Sequence, residues 1–243
     1  AKVKSAWKIY IPPRFKEYFS GLETYEHEEL DLNRTLRSKQ AETLHSWVEA
    51  FLDGRLAEAN LLAQKIWIQN FPILITRDLD EARNYVSERF SNEPAKRFGI
   101  LASSKDRVLP KYGIYNDFQS TKLVKNAKWY NNNLGEEGSC CNLNIVVTEF
   151  GCQGLELDMA IVAWGNDLLW DGQTWNLRKM RTKIPQEDPF QLRKNSYRVL
   201  LTRSREGFII FVPPKSEFDS TENALLAAGA RHLRNSLVIS KIS

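Results

Sequence analysis

Two short apolar runs, 143–147 and 159–164, stand on either side of a compact insert, Thr148-Glu149-Phe150-Gly151-Cys152-Gln153-Gly154-Leu155-Glu156-Leu157-Asp158. Apolar runs of this length suit strands that are covered on both faces, as in a parallel sheet. The insert then lies at the carboxyl end of one strand. In open α/β sheets that edge is where ligands bind.

The chain on either side of this core alternates in the same sense. Trp7-Lys8-Ile9-Tyr10-Ile11 reads as a strand stopped by Pro12-Pro13. From Ser38 the period turns helical, with Ala41, Leu44, Val48, Phe51 and Leu52 on one face. Gly54 interrupts that helix, and Leu56, Ala59, Leu62, Ala63 and Ile66 restart it. Phe71–Thr76 is a buried strand, and Asp78 with Glu81 three residues later marks the start of a helix reaching about Phe90. The polar stretch 103–141 is expected to be irregular, and 166–195, with Gly172 and Pro185, a long excursion. Strands are predicted within 73–76, 99–102, 143–148, 159–164, 197–202 and 208–212, followed by a final helix over 221–234. Strands alternating with helices give an α/β layer architecture, a mostly parallel sheet with helices on both faces.

Composition narrows the chemistry. None of the 243 residues belongs to a run approaching the roughly 18–20 apolar residues of a membrane span, so no membrane partner is expected. Cys140, Cys141 and Cys152 show no metal-binding spacing and only three histidines accompany them, so no metal site is expected. Thiols without a disulfide pattern point to a reducing, cytoplasmic setting. The net charge of +4 is unevenly spread. Residues 17–33 carry six acids and no Lys or Arg, whereas 178–205 carry nine Lys/Arg against Glu187 and Asp188. Residues 103–130 carry six Lys/Arg among Tyr112, Tyr115, Phe118, Trp129 and Tyr130. Cations for phosphates beside rings for bases are what a nucleic-acid groove requires, although a solvated surface with half-buried aromatics has the same composition.

Three segments carry a family resemblance. Leu32-Asn33-Arg34-Thr35-Leu36-Arg37-Ser38 loosely resembles motif IV of superfamily 1 helicases, and Thr148–Glu156 resembles their motif V, T-x-H-x-x-(Q/K)-G-x-E. Val199-Leu200-Leu201-Thr202-Arg203-Ser204-Arg205 resembles motif VI. The nearest likeness is to the DNA/RNA helicase group related to Schlafen helicase-like domains, over roughly residues 30–243. It implies a RecA-like three-layer domain at 31–243, the C-terminal half of an ATPase, with 1–30 an extension or linker from a missing first domain. The first residue, Ala1, fits an excised piece.

The resemblance also implies roles. Arg203 would be the charge-stabilising arginine of phosphoryl transfer and Arg37 a second phosphate contact. Gln153, Gly154 and Glu156 would meet the nucleotide, Gly154 by close backbone approach. Thr148 would touch the nucleic-acid backbone. The family's histidine position holds Phe150, which bears on how the two sites are coupled. No G-x-x-x-x-G-K-[ST] loop and no acidic strand end of the Walker B kind occur, so ATP and magnesium are expected to need the other half. The isolated chain is expected to bind neither tightly and to be inactive alone. Single-stranded DNA or RNA and the missing N-terminal RecA-like domain are the expected partners.

Two other classes compete. Glu156-Leu157-Asp158 before an apolar run also resembles the E-x-D strand of magnesium-dependent restriction-like nucleases. Those enzymes need a later E-x-K, and Trp175-Asn176-Leu177-Arg178-Lys179 does not supply it. The third class is a non-catalytic nucleic-acid or protein interaction module with the same fold.

Overall fold

The computed structural model describes residues 8–30, 39–177 and 188–234. The chain divides into two compact units, 1–42 and 43–243. In the first, β1 (Ile9–Ile11) pairs in parallel with β2 (Thr24–Glu26), joined through a 3₁₀ helix at Pro13–Phe19. Pro12 is extended and Pro13 opens the helix, as a residue without an N–H can. Tyr10 and Tyr25 lie side by side on this ribbon, ring centroids 5.3 Å apart.

The second unit contains the sheet. Most of α1 (Lys39–Leu52) belongs to it, followed by α2 (Leu56–Ile68), β3 (Ile73–Thr76), α3 (Leu79–Arg89) and β4 (Phe98–Ala102). Next come short helices α4 (Phe118–Thr121) and α5 (Asn126–Asn131), then β5 (Val146–Thr148) and β6 (Met159–Ala163). A hairpin of β7 (Leu168–Trp170) and β8 (Trp175–Leu177) precedes α6 (Pro189–Leu201), β9 (Phe208–Phe211), α7 (Asp219–Ala227) and β10 (Arg231–His232). The sheet order is β10-β3-β9-β6-β4-β5, and every pairing is parallel.

Local chemistry sets the boundaries. Leu44, Trp47, Val48 and Phe51 form the buried stripe of α1 at helical spacing. The helix ends where Gly54 takes φ +77°, with Gly54 N–H donating to the Phe51 carbonyl at 3.0 Å and Arg55 N–H to Ala50 at 2.8 Å. That pair of bonds is a Schellman stop, and it needs a left-handed residue. Asp78 caps α3 by accepting from the N–H groups of Asp80 at 3.0 Å and Glu81 at 3.2 Å.

Every residue of β3, β4, β6 and β9 is buried, so both faces of the sheet are covered. Phe208 and Phe211, an odd number of positions apart, point to opposite faces. Phe208 meets Trp47 of α1 at 5.9 Å between centroids, and Phe211 meets Tyr112 of the β4–β5 connection at 5.7 Å. Trp47 stacks on Phe51 at 5.2 Å and donates its indole N–H to the Ala228 carbonyl at 2.9 Å. Truncating such a ring to alanine costs about 3–5 kcal/mol. This is the three-layer, mostly parallel α/β arrangement expected.

Two expectations are corrected. Residues 197–202 are not a strand: 197–201 close α6, and Thr202 is its C-cap. Asp188 accepts from the N–H groups of Phe190 and Gln191, Pro189 opens the first turn, and Arg193, Tyr197, Leu200 and Leu201 form the buried face. The expected final helix stops at Ala227 with Gly229 at φ +93°, and Arg231–His232 then pair with β3 as an edge strand. The stretches 103–141 and 166–195 hold short helices and the β7–β8 hairpin.

Candidate functional site

The segment 148–158 begins at the carboxyl edge of the sheet and crosses to the amino edge. Thr148 ends β5, and its carbonyl accepts from the N–H groups of Gly151 at 2.9 Å and Cys152 at 3.0 Å, turning the chain sharply. Gln153 and Gly154 are exposed in the segment that follows this turn and leads toward the amino edge, Gly154 at φ +78° with open space where a Cβ would stand. Glu156 and Leu157 then enter β6 from its amino end.

There they meet the segment leaving α6. Leu157 N–H donates to the Arg203 carbonyl at 2.8 Å, Arg205 N–H to the Leu157 carbonyl at 2.9 Å, and Glu206 N–H to the Asp158 carbonyl at 2.8 Å. The Arg205 guanidinium reaches Glu156 at 3.1 Å, which holds the arginine charge firmly. Arg203 donates through Nε to the Val199 carbonyl at 3.0 Å and through Nη2 to the Thr202 hydroxyl at 3.1 Å. Its charge acts on Cys152, whose thiol burial nonetheless pushes up to about 12. Glu156 and Arg203 therefore share the amino edge of the sheet. Both residues precede parallel strands, β6 and β9, rather than ending them, and Arg203 follows a helix.

The carboxyl edge is built around buried charge. Glu149, 4% exposed, accepts from Ser104 N–H at 2.8 Å, the Ser104 hydroxyl at 2.9 Å and the Ser196 hydroxyl at 3.1 Å. Arg193 of α6 lies 3.8 Å from Glu149 and 3.0 Å from Asp167. Asp167 also accepts from the Ser103 and Tyr197 hydroxyls, at 2.5 and 2.8 Å. Burial pushes its carboxyl upward, against the pull of Arg193 and the two hydroxyls. Gly165 is required beside this network, since a Cβ there would stand 2.4 Å from the Cβ of Asp106. α6 thus carries Arg193 at one edge of the sheet and leads into Arg203 at the other, a span of about 20 Å along 13 residues.

Residues 2–214 match the family model described as Schlafen group 3, DNA/RNA helicase domain. The chain belongs to that family. A search of curated proteins found no match. Within this Schlafen helicase domain, Thr148, Gln153, Gly154, Glu156 and Arg203 are brought onto one continuous path from carboxyl to amino edge. Arg37 and the whole segment 32–38 lie outside the described residues, as does the 178–187 part of the basic stretch 178–205.

The E-x-D reading fares differently. Glu156 is engaged by Arg205, while Asp158 accepts from Arg97 N–H at 2.7 Å and lies 3.7 Å from Lys96. Trp175–Leu177 pairs with β7, away from β6. Among the described residues no group of three or more His, Cys, Asp or Glu side chains is placed to hold a metal ion.

The buried Glu149–Arg193–Asp167 network escapes sequence reading, because an ion pair in a core looks like surface charge in a string of letters. The one usable signal was Asp188-Pro189, a cap followed by a first-turn proline, which announces the helix that delivers Arg193.

Proposed function

We propose that this domain is the second RecA-like half of a nucleic-acid-dependent ATPase, with a nucleotide edge and a strand edge on opposite ends of one sheet. The observation that supports this is the backbone pairing of Glu156–Asp158 with Arg203–Glu206, which joins the tails of motifs V and VI. A nucleotide at the amino edge would meet Gln153 and the open backbone of Gly154, and a ribose hydroxyl would share Glu156 with Arg205. Arg203 would stabilise charge developing on the transferred phosphoryl group, a role that suits a planar, permanently charged guanidinium. The phosphate loop and the magnesium ligands would come from the other half, where ATP supplies the driving reaction.

At the carboxyl edge, Thr148 and the turn after it would position a strand by its phosphates without reading sequence. The test is binding of single-stranded DNA and RNA to the isolated chain across a salt series. Affinity is expected to fall steeply as salt rises, equally for different sequences, because phosphate contacts release counterions. Binding indifferent to salt, or magnesium-dependent cleavage of the strand, would overturn the reading in favour of another ligand or of a nuclease.

A further inference from the structure

Beside Thr148 the carboxyl edge opens into a groove of about 450 Å³, lined among others by Lys105, Phe118, Lys122, Thr148, Phe150 and Gly151. Two of its walls are large rings turned to solvent: Phe118 is 74% exposed and Phe150 is 67% exposed. Folding alone does not call for this. Phe150 occupies the turn after β5, one residue past the buried Glu149, and Phe118 begins a four-residue helix held by its Asp117 cap. Isolated exposed rings are ordinary, but two lining one groove form a surface that gains from a flat apolar partner.

The charges around the rings are one-sided. Lys105 and Lys122 line the groove, the Lys122 ammonium lying 5.8 Å from the Phe118 ring centre and also donating to Gln119. The nearby carboxylates are turned away or engaged. Glu149 is buried against Ser104 and Ser196, and Asp117 accepts from Gln119 N–H at 2.8 Å and the Ser120 hydroxyl at 2.6 Å. An adjoining groove, sharing Val124 with the first, adds Lys125 and Lys128, together with Glu137, beside the α4–α5 segment. Rings interleaved with lysines, Lys105, Lys122, Lys125 and Lys128 against Glu137 across the two grooves, complement a chain of flat bases on a phosphate backbone.

We propose that this groove stacks unpaired bases of a single strand on Phe118 and Phe150 while Lys105 and Lys122 hold the flanking phosphates. The proposal rests on the strand-edge reading above and adds to it the form of the ligand. A ring face accepts a base only when that base is unstacked from its neighbours, so the groove selects single strands over duplex. It does so without base-edge hydrogen bonds, and so tolerates any sequence.

The experiment uses a single strand carrying 2-aminopurine, whose fluorescence is quenched on stacking, titrated with the wild-type chain and with Phe118→Ala, Phe150→Ala, Lys105→Gln and Lys122→Gln. Both rings are exposed, so the alanine variants should melt at the wild-type temperature, and that is checked first. Each alanine variant is expected to weaken binding by about tenfold or more and to relieve quenching, while leaving the salt dependence unchanged. Each glutamine variant is expected to reduce the slope of log affinity against log salt by about one. A duplex of the same sequence should bind more weakly than the strand. Wild-type quenching and affinity in both alanine variants, with salt-dependent binding intact, would overturn the stacking groove and leave the strand edge standing. No binding by the wild-type chain would remove both.

Discussion

Arg193 and Asp167 form an ion pair across the carboxyl edge, Nε to Oδ2 at 3.0 Å, with the arginine side chain 6% and the aspartate 3% exposed. Charges so placed are compensated only as a set. Glu149, Ser103, Ser196 and Tyr197 complete the set, Ser103 and Glu149 from just past β4 and β5, and Ser196 and Tyr197 from α6 itself. The pair therefore fixes the pitch at which α6 lies on the sheet.

Removing one partner should be much worse than its net contribution. Arg193→Met leaves Asp167 and Glu149 buried without their cation, and is expected to cost about 3–5 kcal/mol in urea denaturation. A simultaneous Asp167→Asn should return part of that loss. If Arg193→Met unfolds at the wild-type midpoint, the network is not holding α6.

Arg203→Ala should act on rate rather than affinity. In the complete ATPase, with its phosphate-loop half present, the substitution is expected to lower kcat by roughly 10³-fold or more. Nucleotide affinity should change far less, since the contact is made mainly in the transition state. Arg203→Lys should restore little, because an ammonium lacks the planar fork. Steady-state turnover and a separate nucleotide titration distinguish these outcomes, and normal turnover in Arg203→Ala would end the assignment.

Asp117 offers a pH handle on the groove. The Ser120 hydroxyl, then the backbone N–H groups at the start of α4, hold its carboxyl below the ordinary 3.8. The folded chain thus releases this proton more readily than the unfolded one. The contribution of the cap is present above the unfolded value and is lost as pH falls through the lower, folded one. Carboxyl titration by NMR should show a depressed Asp117 in the wild type, and Ser120→Ala should move it back upward. An Asp117 that titrates at 3.8 in both would show that the cap is not formed in solution.

The sheet was readable because its strands are almost wholly apolar: 73–76, which closes on Thr76, 99–102, 159–164 and 208–212 are runs suited to burial on both faces. The helix α6 was misread for the opposite reason. Its inward face includes Arg193 and Lys194, so the period that would have announced a helix was hidden behind polar letters, and only Val199-Leu200-Leu201 stood out. The motif residues were legible as a pattern, but their meeting place was not. Sequence placed Glu156 and Arg203 at strand ends, whereas the backbone pairing of Leu157 with Arg203 and Arg205 sets them at strand beginnings. Arg37 lies outside the described residues and gains nothing from the fold.

The strand order has a consequence for how such a chain is made. β3 ends at Thr76, yet both of its neighbours, β9 and β10, are encoded after residue 207. β6 likewise has β9 on one side. A ribosome delivering this chain would extrude β3 more than a hundred residues before anything could pair with it. The two halves of the sheet can only be closed by the last strands to emerge, so a nascent chain halted before β9 should be held by chaperones rather than folded, with β3 and β6 exposed as sticky edges.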